Sequence, residues 1–125
     1  MGLISGSLGN ATEIDVEKVE KQVERILVPG EELQKAFSLV RDLIVLSDKR
    51  LILIDKQGLT GKKAEFLSIP YKNIHRFAME TAGHTDLDSE LKIWLSGLAE
   101  PLTMQFKRGK GIYEIYRVLS TYVLA

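Results

Sequence analysis

The sequence predicts a mainly β domain: short antiparallel strands folded into a sandwich or open barrel, with a helix near each end of the chain. Three observations carry this. Apolar and polar residues alternate in short runs between residues 74 and 107, the period of a half-buried strand. The loops joining these runs are of hairpin length. Beyond residue 111 the pattern changes to helical spacing with a single apolar stripe.

Residues 12–28 (TEIDVEKVEKQVERILV) carry Val16, Val19, Val23, Ile26 and Leu27 at spacings of three and four. They predict an amphipathic helix capped by Thr12 or Asp15, with Glu17 and Lys21 paired on its charged face. Pro29-Gly30 stops it. Residues 1–30 are thus expected as an N-terminal helical extension, and residues 31–125 as the domain proper. Residues 33–47 read as two short strands, or one strand with a sharp bend, at an Arg41-Asp42 break, and Asp48-Lys49 as a tight turn. RLILID (50–55) has an apolar centre and charged ends, which suits a strand buried on both faces. EFLSI (65–69) is the next strand, ended by Pro70. In 74–81, His75, Phe77 and Met79 alternate with Arg76 and Glu80. In 91–96, Leu91, Ile93 and Leu95 point inward, leaving Trp94 on the polar side. In 102–107, Leu102, Met104 and Phe106 share a face. Ile112, Ile115, Tyr116, Leu119 and Val123 form the stripe of a closing helix over 112–124, which belongs on the open end of the barrel. The strand count is about seven.

Composition narrows the function. The chain has 125 residues, one domain in size, and 45% of them are hydrophobic, enough for a core. Lys plus Arg and Asp plus Glu are balanced at 17 each, which argues against nucleic-acid binding and leaves little repulsion between copies. The chain has no cysteine, which excludes disulfides, thiol catalysis and cysteine-rich zinc sites and fits a reducing cytoplasm. No apolar run approaches the roughly 18 residues that span a bilayer. The first residues lack the basic start of a secretory signal.

The motifs that imitate sites fail on spacing. DKQGLTGKK (55–63) looks like half of a phosphate loop, but a P-loop ending at Gly61-Lys62 needs Gly at 56 and Ser or Thr at 63. Those positions hold Lys56 and Lys63, and a strand rather than a helix follows. A glycine-aided hairpin explains the segment, with Gly58 and Gly61 at positive φ. Its Lys56, Lys62 and Lys63 would form a small basic tip for an anionic lipid or an acidic partner. The run from His84 to Glu90 alternates His and carboxylates, but an EF-hand numbered from Asp86 would place Leu91 where Gly is needed and Gly97 where Glu is needed. It reads as a polar hairpin loop. His75 reads as a hydrogen-bonded packing residue, and no serine lies in a G-x-S-x-G elbow. No catalytic, cofactor or metal residue is assigned. Trp94 on the polar side of its strand reads as an interface residue, or as one covered by the N-terminal helix. Val16, Val19 and Val23 must be buried on their own sheet or on a neighbour.

The local wording adds a resemblance. VRDLIVLSDKRLILIDKQGLTGKK, EFLSIPYKNIHRFAMETAG, LDSELKIWLSG and IYEIYRVL closely resemble the bacterial PH-like (pleckstrin homology-like) domain family. The likeness covers residues 2–124 and is most specific at Ser47–Leu51 and at Ser68–Ile74. It implies a seven-stranded antiparallel sandwich or barrel capped by a C-terminal helix. It also implies a non-enzymatic domain of uncharacterised function that forms ring-like homo-oligomers, with a pentamer expected. Lipid-binding PH domains carry a basic pattern in the first hairpin. Here that turn is Leu39–Leu43, short and with Arg41 as its only base, so lipid binding does not carry over. The expectation is a cytoplasmic homo-oligomeric scaffold for an unknown protein partner. The alternative is a peripheral binder of anionic lipid through Lys56, Lys62 and Lys63.

Overall fold

The computed structural model describes residues 7–39, 42–57, 63–81, 88–107, 109 and 111–125. Eight strands form one sheet in the order β5-β4-β3-β2-β1-β8-β7-β6. They are β1 (Ser7–Ile14), β2 (Leu33–Ser38), β3 (Leu43–Ser47), β4 (Arg50–Gln57), β5 (Lys63–Pro70), β6 (Ile74–Glu80), β7 (Asp88–Leu95) and β8 (Leu102–Lys107). The sheet curls into a half-barrel, and α2 (Gly111–Val123) packs into its concave side.

The strands from β2 onward lie where alternation and turn residues place them. All of Leu51–Ile54 is buried, as expected for a strand covered on both faces. Leu91, Ile93 and Leu95 of β7 and Leu102, Met104 and Phe106 of β8 point into the concave core. There they meet Ile112, Ile115 and Leu119 of α2, and Phe37 meets Phe106 edge to face at 5.0 Å.

The N-terminal region differs from the expected helix over 12–28. Residues 7–14 are a strand. A 3-10 turn (Val16–Lys18) follows, and then one short helix, α1 (Glu20–Val23). Thr12 lies in the strand, and Asp15 precedes the 3-10 turn without a side-chain cap. The apolar stripe is real although the long helix is not. Val19 and Val23 are fully buried on a second core, on the convex side, with Ala36, Leu43, Val45, Ile52 and Ile54. Val16, Ile26 and Leu27 pack around them. Tertiary pairing overrides the local period here: Thr12, Glu13 and Ile14 lie opposite Ser38, Phe37 and Ala36 of β2.

Among the described residues this strand raises the count from seven to eight and supplies the one parallel pairing of the sheet. β1 runs antiparallel to β2 and parallel to β8, so the first segment of the expected helical extension joins the two halves of the sheet. Gly30, at φ +84, turns the chain from the α1 segment into β2.

Candidate functional site

The described residues hold three polar constellations, and each is explained by the fold. Glu31, its side chain fully buried, accepts hydrogen bonds from Arg50 Nε and Nη2 (2.9 Å each), Ser47 Oγ (2.6 Å) and the Val28 amide (3.0 Å). Burial pushes its carboxyl up, but the bonds from Arg50, Ser47 and Val28 outweigh that and hold it down at about 2. Arg50 also donates to the Ile26 carbonyl and to Ser68 Oγ, so one guanidinium ties the α1 segment, β4 and β5 together. Lys35 bridges Glu13 of β1 and Glu114 of α2 at 2.8 Å each, and these partners raise its pKa. Tyr71, raised by burial, donates its hydroxyl to the Ser47 carbonyl and stacks on Tyr122 at 5.4 Å. The Ser47 hydroxyl does meet the Glu31 carboxylate, but both are buried and Arg50 helps hold that carboxyl low, which makes it a weak base and the bond a structural one. Among the described residues no group of three or more His, Asp or Glu side chains is placed to hold a metal ion. Most of the His84–Glu90 run lies outside the described residues.

The basic hairpin tip is not brought together in the part described. Lys56 lies opposite Ala64 and Lys63 opposite Gln57, which puts the two lysines on opposite faces of the β4–β5 ladder. Lys62, Gly58 and Gly61 lie outside the described residues. His75 is exposed instead of packed with Phe77 and Met79. The β6–β7 register shifts between Ile74 and Arg76, and this irregularity takes His75 out of the alternation. Val19 and Val23 are spent on their own chain. Trp94 lies on the convex face of β7, half-buried, with the Arg76 guanidinium 4.5 Å from its ring centroid.

The surface features that remain concern association. β5 and β6 are the two ends of the sheet order, each paired on one side only. A single 3-10 turn (Tyr71–Asn73) connects them, and among the described residues no ladder is formed between them. Phe66 of β5 faces outward, opposite Ile54, and is 40% exposed. Phe77 of β6 is half-buried against Tyr116 of α2, with ring centroids 5.0 Å apart. The alternation of β5 carries the signal for Phe66, since Leu67 and Ile69 share the concave face and leave Phe66 on the other. Edge position is a property of the whole sheet, so nothing local marks it. A groove of about 510 Å³ also runs beside α2, lined by Lys35, Tyr113, Glu114, Arg117, Val118 and Tyr122.

Comparison with known proteins agrees with this geometry. The Bacterial PH domain family model matches residues 2–123. The uncharacterized Bacillus subtilis protein YjqA is 58% identical over 121 residues, covering 96% of this chain and 97% of its own. A Shewanella loihica protein with a pleckstrin-homology domain superposes with a TM-score of 0.82 at 42% identity, over 92% of this chain and 98% of its own. A pleckstrin homology domain from Shewanella amazonensis gives 0.72 at 51% identity, over 94% of each chain.

Proposed function

This chain belongs to the bacterial PH domain family, and from that membership we propose that it is a non-enzymatic, homo-oligomeric scaffold that presents its PH-like surface to a protein partner in the cytoplasm. The observation that carries this reading is the sheet itself. It ends in two open strands, one with an outward phenylalanine, and an unpaired edge is a template for another chain. The balance of 17 basic and 17 acidic residues adds little repulsion between copies. Repeated copies would turn weak partner contacts into tight ones by raising effective concentration. A ring is the expected form, with five copies as the working number.

The test is light scattering behind size exclusion at micromolar protein. The expected mass is a whole multiple of the 14.0 kDa chain, five-fold for the ring. A single-chain mass at every concentration overturns the proposal.

A further inference from the structure

We infer that the groove beside α2 seats a short extended segment of the protein partner that carries one carboxylate, an assignment that rests on the partner half of the scaffold reading. The groove encloses about 510 Å³, within the range of ligand clefts. One wall runs along α2 from Tyr113 to Tyr122, over which the helix rises about 14 Å. Gln34 and Lys35 of β2 form the other. An extended chain advances about 3.3 Å per residue, so the groove takes about four residues. β2 is already paired with β1 and with β3, so the segment cannot join the sheet and is read by side chains.

The rows of α2 divide the work. Ile112, Ile115 and Leu119 are spent on the concave core. The next row leans towards β2 and its surroundings: Glu114 meets Lys35, and Tyr122 stacks on Tyr71. The row beyond holds Tyr113, Arg117 and Thr121, all exposed. Tyr113 is 52% exposed, one turn from Arg117, and tyrosine and arginine are the residue types that anchor interfaces.

Charge selects the occupant. Lys35 is held between Glu114 and Glu13, so its charge is answered within the chain. Arg117 has no ion-pair partner among the described residues. The lining thus has one cation to spare, and a carboxylate matches its planar fork with two parallel bonds. A doubly charged phosphate fits less well, because Glu114 stands one turn from Arg117 on the same helix. Val118 and the rings of Tyr113 and Tyr122 offer apolar surface to the flanking side chains. Gln34 donates to the Glu32 carbonyl, which leaves its own side-chain oxygen to accept an N–H of the segment.

The probe is a random library of capped tetrapeptides, selected on the full-length protein, with the selected peptides then titrated in solution by fluorescence anisotropy. They are expected to carry one Asp or Glu among apolar residues. Arg117→Glu is expected to weaken them by about fivefold or more, and in a selection of its own to enrich Lys or Arg in place of the acid. Lys107→Glu makes the same charge change on the opposite face of the sheet and is expected to leave the affinity unchanged. Selected peptides without a carboxylate, no selected peptide at all, or equal binding by wild type and Arg117→Glu overturns the inference. Equal weakening by Lys107→Glu does the same, since it marks general attraction. Retention on phosphatidylglycerol vesicles that Arg117→Glu abolishes, with no peptide selected, gives the groove to a lipid headgroup instead. Circular dichroism checks each fold, and Arg117→Gln carries the same test should Arg117→Glu unfold. Mass is read separately: an oligomer that selects no peptide overturns this inference and leaves the assembly standing, whereas a monomer that binds the acidic peptides overturns the assembly and leaves the groove.

Discussion

Replacing Glu31 by Gln keeps the shape of the side chain and removes the charge that Arg50 pairs with. The Arg50 guanidinium, largely buried, would lose its counter-charge, and E31Q is expected to cost about 3 kcal/mol, read from the midpoint and slope of urea unfolding. The pH dependence follows from the same bonds. The native carboxyl titrates at about 2 and the ordinary value is 4.5, so the unfolded chain binds its proton more tightly. The stability from this group is therefore complete above pH 4.5 and is lost as the pH falls from there towards 2. The full window is worth about 3 kcal/mol. Urea unfolding at about pH 6 and about pH 3 should show the wild type losing part of this while E31Q does not. An equal loss in both would remove Glu31 from the acid response.

At the scale of elements, the α1 segment acts as a cover. Val19 and Val23 close the convex core over β2, β3 and β4, and Val23 is wholly inaccessible. Val23→Asp places an unpaired carboxylate there and is expected to cost more than about 3 kcal/mol, or to leave the chain unfolded by circular dichroism. Val23→Ala, with a smaller cavity, should cost about 1–2 kcal/mol. If the Asp variant melts like the wild type, this cover is not a structural requirement. The same segment shows how far sequence reasoning reaches. The stripe identified Val19 and Val23 as buried and Val16 as half-buried beside them, because burial is periodic along the chain. It misjudged the length of the helix, because the choice between strand and helix at 12–14 is made by β2 and β8, distant in sequence. The alternation in β7 and β8 was fully legible for the same reason that the stripe was. His75 was misplaced because a register shift leaves no mark in composition. Lys56 and Lys63 are neighbours in the hairpin but belong to opposite faces, which their closeness in sequence does not reveal. The Glu31–Arg50 pair was missed because its partners are 19 positions apart.

The whole molecule carries no net formal charge, and one of its open sheet edges presents the exposed Phe66. Its assembly should therefore respond weakly to salt, since screening acts on charges and not on buried apolar area. Light scattering at low and at molar salt is expected to give the same mass; dissociation at high salt would point to an ionic interface elsewhere on the surface. The sheet order has a further consequence for how the chain reaches its native state. β1 leaves the ribosome before the other strands of the sheet, yet its parallel neighbour β8 is Leu102–Lys107, the last strand to be made. During synthesis β1 can pair with β2 first, and its second edge stays bare until β8 has emerged. Long-range closure of this kind is slow. The nascent domain thus spends its most vulnerable interval with one edge of β1 exposed, and chaperone protection would matter most there.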